Sequence, residues 1–221
     1  MDHLEELPLF PLNTVLFPYA QLQLHIFEER YREMVNRCLE MDAPFGIVLI
    51  RTGGEVGETA EPYLVGTAVR IVTVHRYDDG RIDIQVVGER RFRVRSLDET
   101  SAYLVGRVEP VIELELEENY ENGEVLARVR DECQALVQKR FEQQGFSVRV
   151  VFPQDPVALS FTIANLLSIN NLEKQALLET TDTLERIQTL RPLLQRQILE
   201  AKGPGYFRLS SDMIRDELFP N

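Results

Sequence analysis

Leu7-Pro8-Leu9-Phe10-Pro11-Leu12-Asn13-Thr14-Val15-Leu16-Phe17-Pro18 decides how the rest of the chain is read. Three prolines in twelve residues exclude a helix, because each removes a backbone donor and clashes with the preceding turn. The leucines, valine and phenylalanines between them demand burial. Together these predict short, bent strands that open a β-structure.

Working outward, Gln21 to Ile26 alternates polar and apolar side chains, as a half-buried strand does. Glu28 to Met41 places Tyr31, Met34, Val35, Cys38 and Leu39 at helical spacing, with acids in the first turn to complement the helix dipole. Phe45 to Ile50 reads as a buried strand ended by Gly53-Gly54. Further strands are predicted at Leu64–Tyr77, Arg81–Val87, Arg91–Leu97 and Ala102–Leu116. The turn in Tyr77-Asp78-Asp79-Gly80-Arg81 admits two registers. A three-residue loop with Gly80 left-handed sets Val74 opposite Ile84, Val72 opposite Val86 and His75 beside Asp83. That register keeps apolar with apolar and is the one expected.

After the acidic stretch Glu113–Glu124 the period changes from two to about 3.6. A long helix is predicted from Gly123 to Gln144, stopping at Gly145. Asp155-Pro156 starts another, and Asn170 with Glu173 and Asp182 with Glu185 read as capping boxes. Pro192 is expected to kink or split the last helix. The expected organisation is a β lobe over residues 1–116, a helical lobe over 117–202 and a C-terminal extension over 203–221, an α+β chain.

The 221 residues carry a net charge of −12; residues 1–115 hold 12 basic and 20 acidic side chains, residues 116–221 hold 12 and 16. Both halves are acidic, which argues against a phosphate-neutralising surface as the main purpose of the chain. No apolar run reaches the length of a membrane span and the first residues lack a secretory pattern, so a cytoplasmic location without membrane contact is expected. Cys38 and Cys133 sit in helical apolar patterns and read as small buried thiols. His3, His25 and His75 are dispersed, so no metal site is expected. His75 beside Asp83 could orient an imidazole as a base, but no nucleophile is placed near it. A solvent-facing cross-strand pair is the better reading.

The opening string resembles the start of the Lon protease N-terminal, substrate-binding domain. Tyr63-Leu64-Val65-Gly66-Thr67-Ala68 and Val86-Val87-Gly88-Glu89-Arg90-Arg91-Phe92-Arg93-Val94 are similar to two strands of that family. Asp155-Pro156, Lys174-Gln175-Ala176-Leu177-Leu178-Glu179 and Glu185-Arg186 resemble its helical half in order and spacing. The resemblance spans roughly residues 5–200. It implies a PUA-like twisted β-barrel lobe with an inserted helix, followed by a helical bundle. It also implies a non-catalytic module that binds unfolded or client polypeptides, with a protease among its expected partners and no cofactor. Lon itself continues into an ATPase and a serine–lysine peptidase. These 221 residues hold no Gly-x-x-x-x-Gly-Lys-Ser/Thr loop. Lys139, Lys174 and Lys202 all fall in helical patterns, so a stand-alone member of the family is expected.

Two candidate sites follow from the residues. Phe17-Pro18-Tyr19-Ala20 joins two predicted strands yet carries no charge, and apolar loop residues mark contact surfaces. Pro18, Tyr19 and Leu22, with Tyr77 at the hairpin tip, are the expected peptide-binding residues. Tyr19→Asp should then weaken client capture without lowering the thermal midpoint. Arg91, Arg93 and Arg95 alternate with Phe92 and Val94 and could face an anionic partner. They carry the alternative reading, a PUA-like RNA-binding protein, which the acidic composition opposes.

Overall fold

The structure is a computed structural model and describes residues 5–55, 60–114, 116–117, 119–142 and 150–200. The chain divides into two compact units. The first holds the described residues up to Ile112 together with Ile169–Glu179; the second holds those of Glu113–Ser168 and those from Thr180 onward.

The first unit is a closed barrel with a protruding arm. Its strands are β1 (Glu5–Leu12), β2 (Gln21–Ile26), β3 (Phe45–Thr52), β4 (Glu61–Pro62), β5 (Val65–Arg76), β6 (Ile82–Asp98) and β7 (Val105–Pro110). The sheet runs β1-β7-β6-β5-β3-β4, and a parallel β1–β3 pairing closes it. The proline-rich start is one strand rather than several bent ones. Its first half pairs with β7 and its second half with β3, so the strand changes partner between Pro8 and Leu9. Leu7, Leu9, Val48, Ala68, Phe92, Val94 and Val108 fill the barrel. Room for the Phe92 ring comes from glycines on two neighbouring strands. A Cβ on Gly46 or Gly66 would lie 2.6 or 2.7 Å from Phe92 Cζ.

Helix α1 (Glu29–Met41) buries Tyr31, Met34, Val35 and Cys38, the stripe read from spacing. Both cysteines are buried, and desolvation pushes the Cys38 thiol up to about 11. The hairpin register is nearly the expected one. Gly80 is left-handed with φ 86°, its N–H donates to the Tyr77 carbonyl, and Val74 pairs with Ile84 and His75 with Asp83. Beyond that Ile71, not Val72, meets Val86, because Val72 is the extra residue of a bulge. The two strands expected at Arg81–Val87 and Arg91–Leu97 are one seventeen-residue strand. Pairing Ala68 with Arg90 and Val69 with Gly88 leaves Glu89 as its bulge, which absorbs the break in alternation.

Helix α4 (Asn171–Glu179) belongs to the barrel unit. Gln175 Nε2 donates to the Val65 carbonyl at 3.0 Å, and Asn171 Nδ2 to the Asn13 carbonyl at 2.6 Å. Its start is the expected capping box in full. Glu173 N–H donates to Asn170 Oδ1 and Asn170 N–H to Glu173 Oε2, both at 2.9 Å.

The second unit packs α2 (Tyr120–Glu142), α3 (Pro156–Leu166) and α5 (Thr183–Glu200). The predicted stop at Gly145 and the 203–221 extension lie outside the described residues. Asp155 caps α3 by accepting from the Ala158 N–H at 2.7 Å, with Pro156 in the first turn. Nearly all of α3 is buried, so it is the unit's central helix. Pro192 does not split α5, which runs unbroken from Thr183 to Glu200. Arg186 is fully buried. It donates to Ser160 Oγ, Thr180 O, Thr183 Oγ1 and Glu113 Oε2, and lies 4.1 Å over the Phe161 ring. On a neighbouring face Glu132 of α2 receives Arg191 and Gln195 of α5.

Candidate functional site

The loop between β1 and β2 ends in a β-turn over Phe17-Pro18-Tyr19-Ala20, closed by Ala20 N–H donating to the Phe17 carbonyl at 3.2 Å. Pro18 fixes the second position of this turn. Tyr19 takes the third with φ 66°, where glycine or asparagine ordinarily stands. The strain is held by its surroundings. Tyr19 N–H donates to the Gly88 carbonyl at 2.8 Å and Gly88 N–H to the Ala20 carbonyl at 2.9 Å, lacing the turn to β6. The close approach requires glycine, since a Cβ on Gly88 would run into the Phe17 carbonyl oxygen. Phe17 is fully buried, and the buried Thr67 hydroxyl donates to the Leu16 carbonyl at 2.6 Å. The result is a fixed platform that leaves Tyr19 52% exposed.

The expected binding residues therefore separate. Tyr19 is presented to solvent and Leu22 is half-buried beside it on β2. Pro18 is buried and shapes the turn. Tyr77 stands at the far end of the β2–β6 ladder, past Ile26 opposite Ile82. Gln21 to Ile26 alone spans about 17 Å of strand, so Tyr19 and Tyr77 are not one patch.

Tyr77 instead joins a cluster that includes His25, read from the sequence as isolated. The β2–β6 and β5–β6 registers set His25, Asp83 and His75 in one row across three strands. His25 Nδ1 lies 2.5 Å from Asp83 Oδ1, and the Tyr77 hydroxyl donates to Asp83 Oδ2 at 2.6 Å. The Tyr77 hydroxyl first, and then His25, hold the Asp83 carboxyl below its ordinary range; the same hydrogen bond raises the Tyr77 phenol. The His75 ring stands edge-on to Tyr77 at 4.7 Å. Thus His75 faces Asp83 in register, but the carboxylate's bonds go to His25 and Tyr77. Only the order of strands in the sheet reveals this, and β2 lies beside β6, not beside the strand that follows it.

The arginine row is not a surface row. Arg91 is 3% exposed, and its Nη1 donates to the Leu178 carbonyl at 2.5 Å, at the C-terminal end of α4. There a cation also meets the negative end of the helix dipole. Arg93 is half-buried. Arg95 is the extra residue of a bulge between Val94 and Ser96 and pairs with Glu109. In the helical unit, an open cavity of about 730 Å³ is lined by Leu114, Leu126, Pro156 and Val157 and by the carboxylates Glu113 and Asp155. Both carboxylates already serve the structure, one on Arg186 and one on the α3 cap. Among the described residues no group of histidines, cysteines and carboxylates could hold a metal ion, and no helix is long and apolar enough to cross a membrane.

The architecture is that of Lon N-terminal domains. A Lon N-terminal domain protein from Xanthomonas campestris superposes with a TM-score of 0.62 at 28% identity, covering 85% of this chain and 98% of that one. The N-terminal domain of a Mycobacterium avium complex Lon protease shares the fold, with a TM-score of 0.64 at 21% identity, over 86% of this chain and 98% of that one. The family model of the ATP-dependent protease La (LON) substrate-binding domain matches residues 6–196, and the chain belongs to this family. It is 29% identical over 197 residues to the Lon protease of Dictyoglomus thermophilum, covering 88% of this chain. The chain spans about a quarter of the length of such relatives, 25% in that case. Family membership makes it a substrate-binding module of the Lon type.

Proposed function

We propose that this chain recognises exposed apolar segments of client polypeptides through Tyr19 and Leu22, and serves as an adaptor that brings those clients to a protease. The carrying observation is Tyr19 itself, a half-exposed aromatic at a backbone position that favours glycine, locked there by hydrogen bonds to Gly88. Backbone strain maintained at an exposed side chain is characteristic of binding sites. Tyrosine combines contact area with little rotamer entropy to lose. Against the RNA-binding alternative, Arg91 is buried and donates to the end of α4, and Arg95 pairs with Glu109.

The test is binding of fluorescein-labelled casein, a chain with little fixed structure, followed by anisotropy. Tyr19→Asp is expected to weaken capture about tenfold, or about 1.4 kcal/mol, more than most interface residues cost when truncated. The native interaction should change little between low and high salt, since apolar burial needs no counterion release. Capture that survives Tyr19→Asp, or that collapses with salt, would overturn the proposal.

A further inference from the structure

The arm of the first unit has an open edge. Strand β3 covers β5 only through Val69, so from Arg70 to Arg76 the side of β5 away from β6 carries no strand among the described residues. Six of these seven residues are exposed, Val72 at 48% and Val74 at 38%. Tyr77 N–H donates to the Arg81 carbonyl, and the alternation of an antiparallel ladder then turns the N–H and C=O of Val74 and Arg76 outward. Soluble proteins blunt such edges with charge or cover them. Here Val72-Thr73-Val74 is uncharged and β-branched, a stretch that pairs readily.

Charge selects the occupant. The sequence Arg70-Ile71-Val72-Thr73-Val74-His75-Arg76 is nearly palindromic about Thr73. Antiparallel pairing with a second copy would set Arg70 against the second copy's Arg76 twice, and like charges directly opposite are destabilising. Arg70 is already engaged by Glu89 at 2.9 Å, whereas Arg76 makes no ion pair among the described residues. We infer that this edge, from the bulge at Val72 to Arg76, accepts an extended client segment as an added β-strand, with a β-branched residue against Val74 and a carboxylate opposite Arg76. The inference rests on the reading that the chain binds polypeptide, and adds a second, backbone-directed site some distance from Tyr19.

The probe is a fluorescein-labelled peptide, Gly-Asp-Val-Thr-Val-Thr-Val-Gly, titrated with the full chain. Methylating alternate amides of the peptide removes donors without altering the protein, and should weaken binding about fivefold for each bond lost. Lysine in place of the aspartate should weaken it further. Val74→Pro removes an outward donor while sparing the ladder to β6, and should match the methylated peptide. Equal binding of methylated and unmethylated peptide overturns the inference. So does a native dimer, seen by sedimentation, that Val74→Pro converts to monomer. Casein capture separates the two sites. Loss with Tyr19→Gly but not Val74→Pro leaves the main proposal standing and removes this one, and the reverse result supports the edge and removes Tyr19.

Discussion

Tyr19 sits where a glycine would relax the chain, and this makes its role separable from folding. A left-handed conformation costs a residue with a Cβ about 1–2 kcal/mol. Glycine returns much of that as backbone entropy, about 0.5–1 kcal/mol. Tyr19→Gly should therefore leave the thermal midpoint within a few degrees, while casein binding falls about tenfold. A midpoint drop of ten degrees in calorimetry would make Tyr19 a packing residue. Gly88→Ala should behave in the opposite way: its Cβ meets a backbone oxygen that cannot swing aside, so stability should fall by about 1–3 kcal/mol in urea unfolding. Arg186 is a third case, because its buried guanidinium ties α3 and the start of α5 to Glu113 and Thr180. Arg186→Met leaves the buried acceptors around it without their donor and should cost about 1–3 kcal/mol, since Glu113 keeps some solvent access. Adding Glu113→Leu should recover a substantial part in a double-mutant cycle, and additive losses would deny the coupling.

At the scale of elements, what the sequence showed and what it hid have physical reasons. Local rules are decided within a few residues, so the stripe of α1, the Asp155 cap, the Asn170–Glu173 box and the Gly80 turn were all legible. The box makes a quantitative point: Asn170→Ala should cost about 1 kcal/mol, read from the urea midpoint. The misses were bulges. Glu89, Val72 and Arg95 each insert one residue into a ladder, and no local signal marks a bulge when both flanks keep alternating. That is why one strand looked like two and why three arginines seemed to share a face. Partner choice was equally hidden. Nothing in Gln21–Ile26 says that β2 will join β6, so the His25–Asp83–Tyr77 cluster and the open β5 edge emerged only with the strand order. The apolar, uncharged turn at Phe17–Ala20 was legible as a candidate site; that Pro18 is buried and Tyr77 remote was not.

For the whole molecule, the acidic composition constrains conditions rather than fold. The Glu132 carboxyl is pulled down against its own desolvation by the hydrogen bonds of Arg191 and Gln195. A carboxyl lowered on folding adds stability that is present above its unfolded value near 4.5 and is lost as pH falls through the lower folded value. The midpoint difference between the native chain and Glu132→Gln should hold steady from pH 8 to 5 and narrow as the pH falls below 4.5; a gap unchanged at pH 3 would refute the linkage. If this Lon-type substrate-binding fold presents Tyr19 to client chains, removing that side chain must show in binding. The most direct test is one titration of labelled casein with the native chain and with Tyr19→Gly at matched thermal midpoints. Native binding should be insensitive to salt and weakened about tenfold by the glycine. Equal affinities from two equally stable proteins would contradict it.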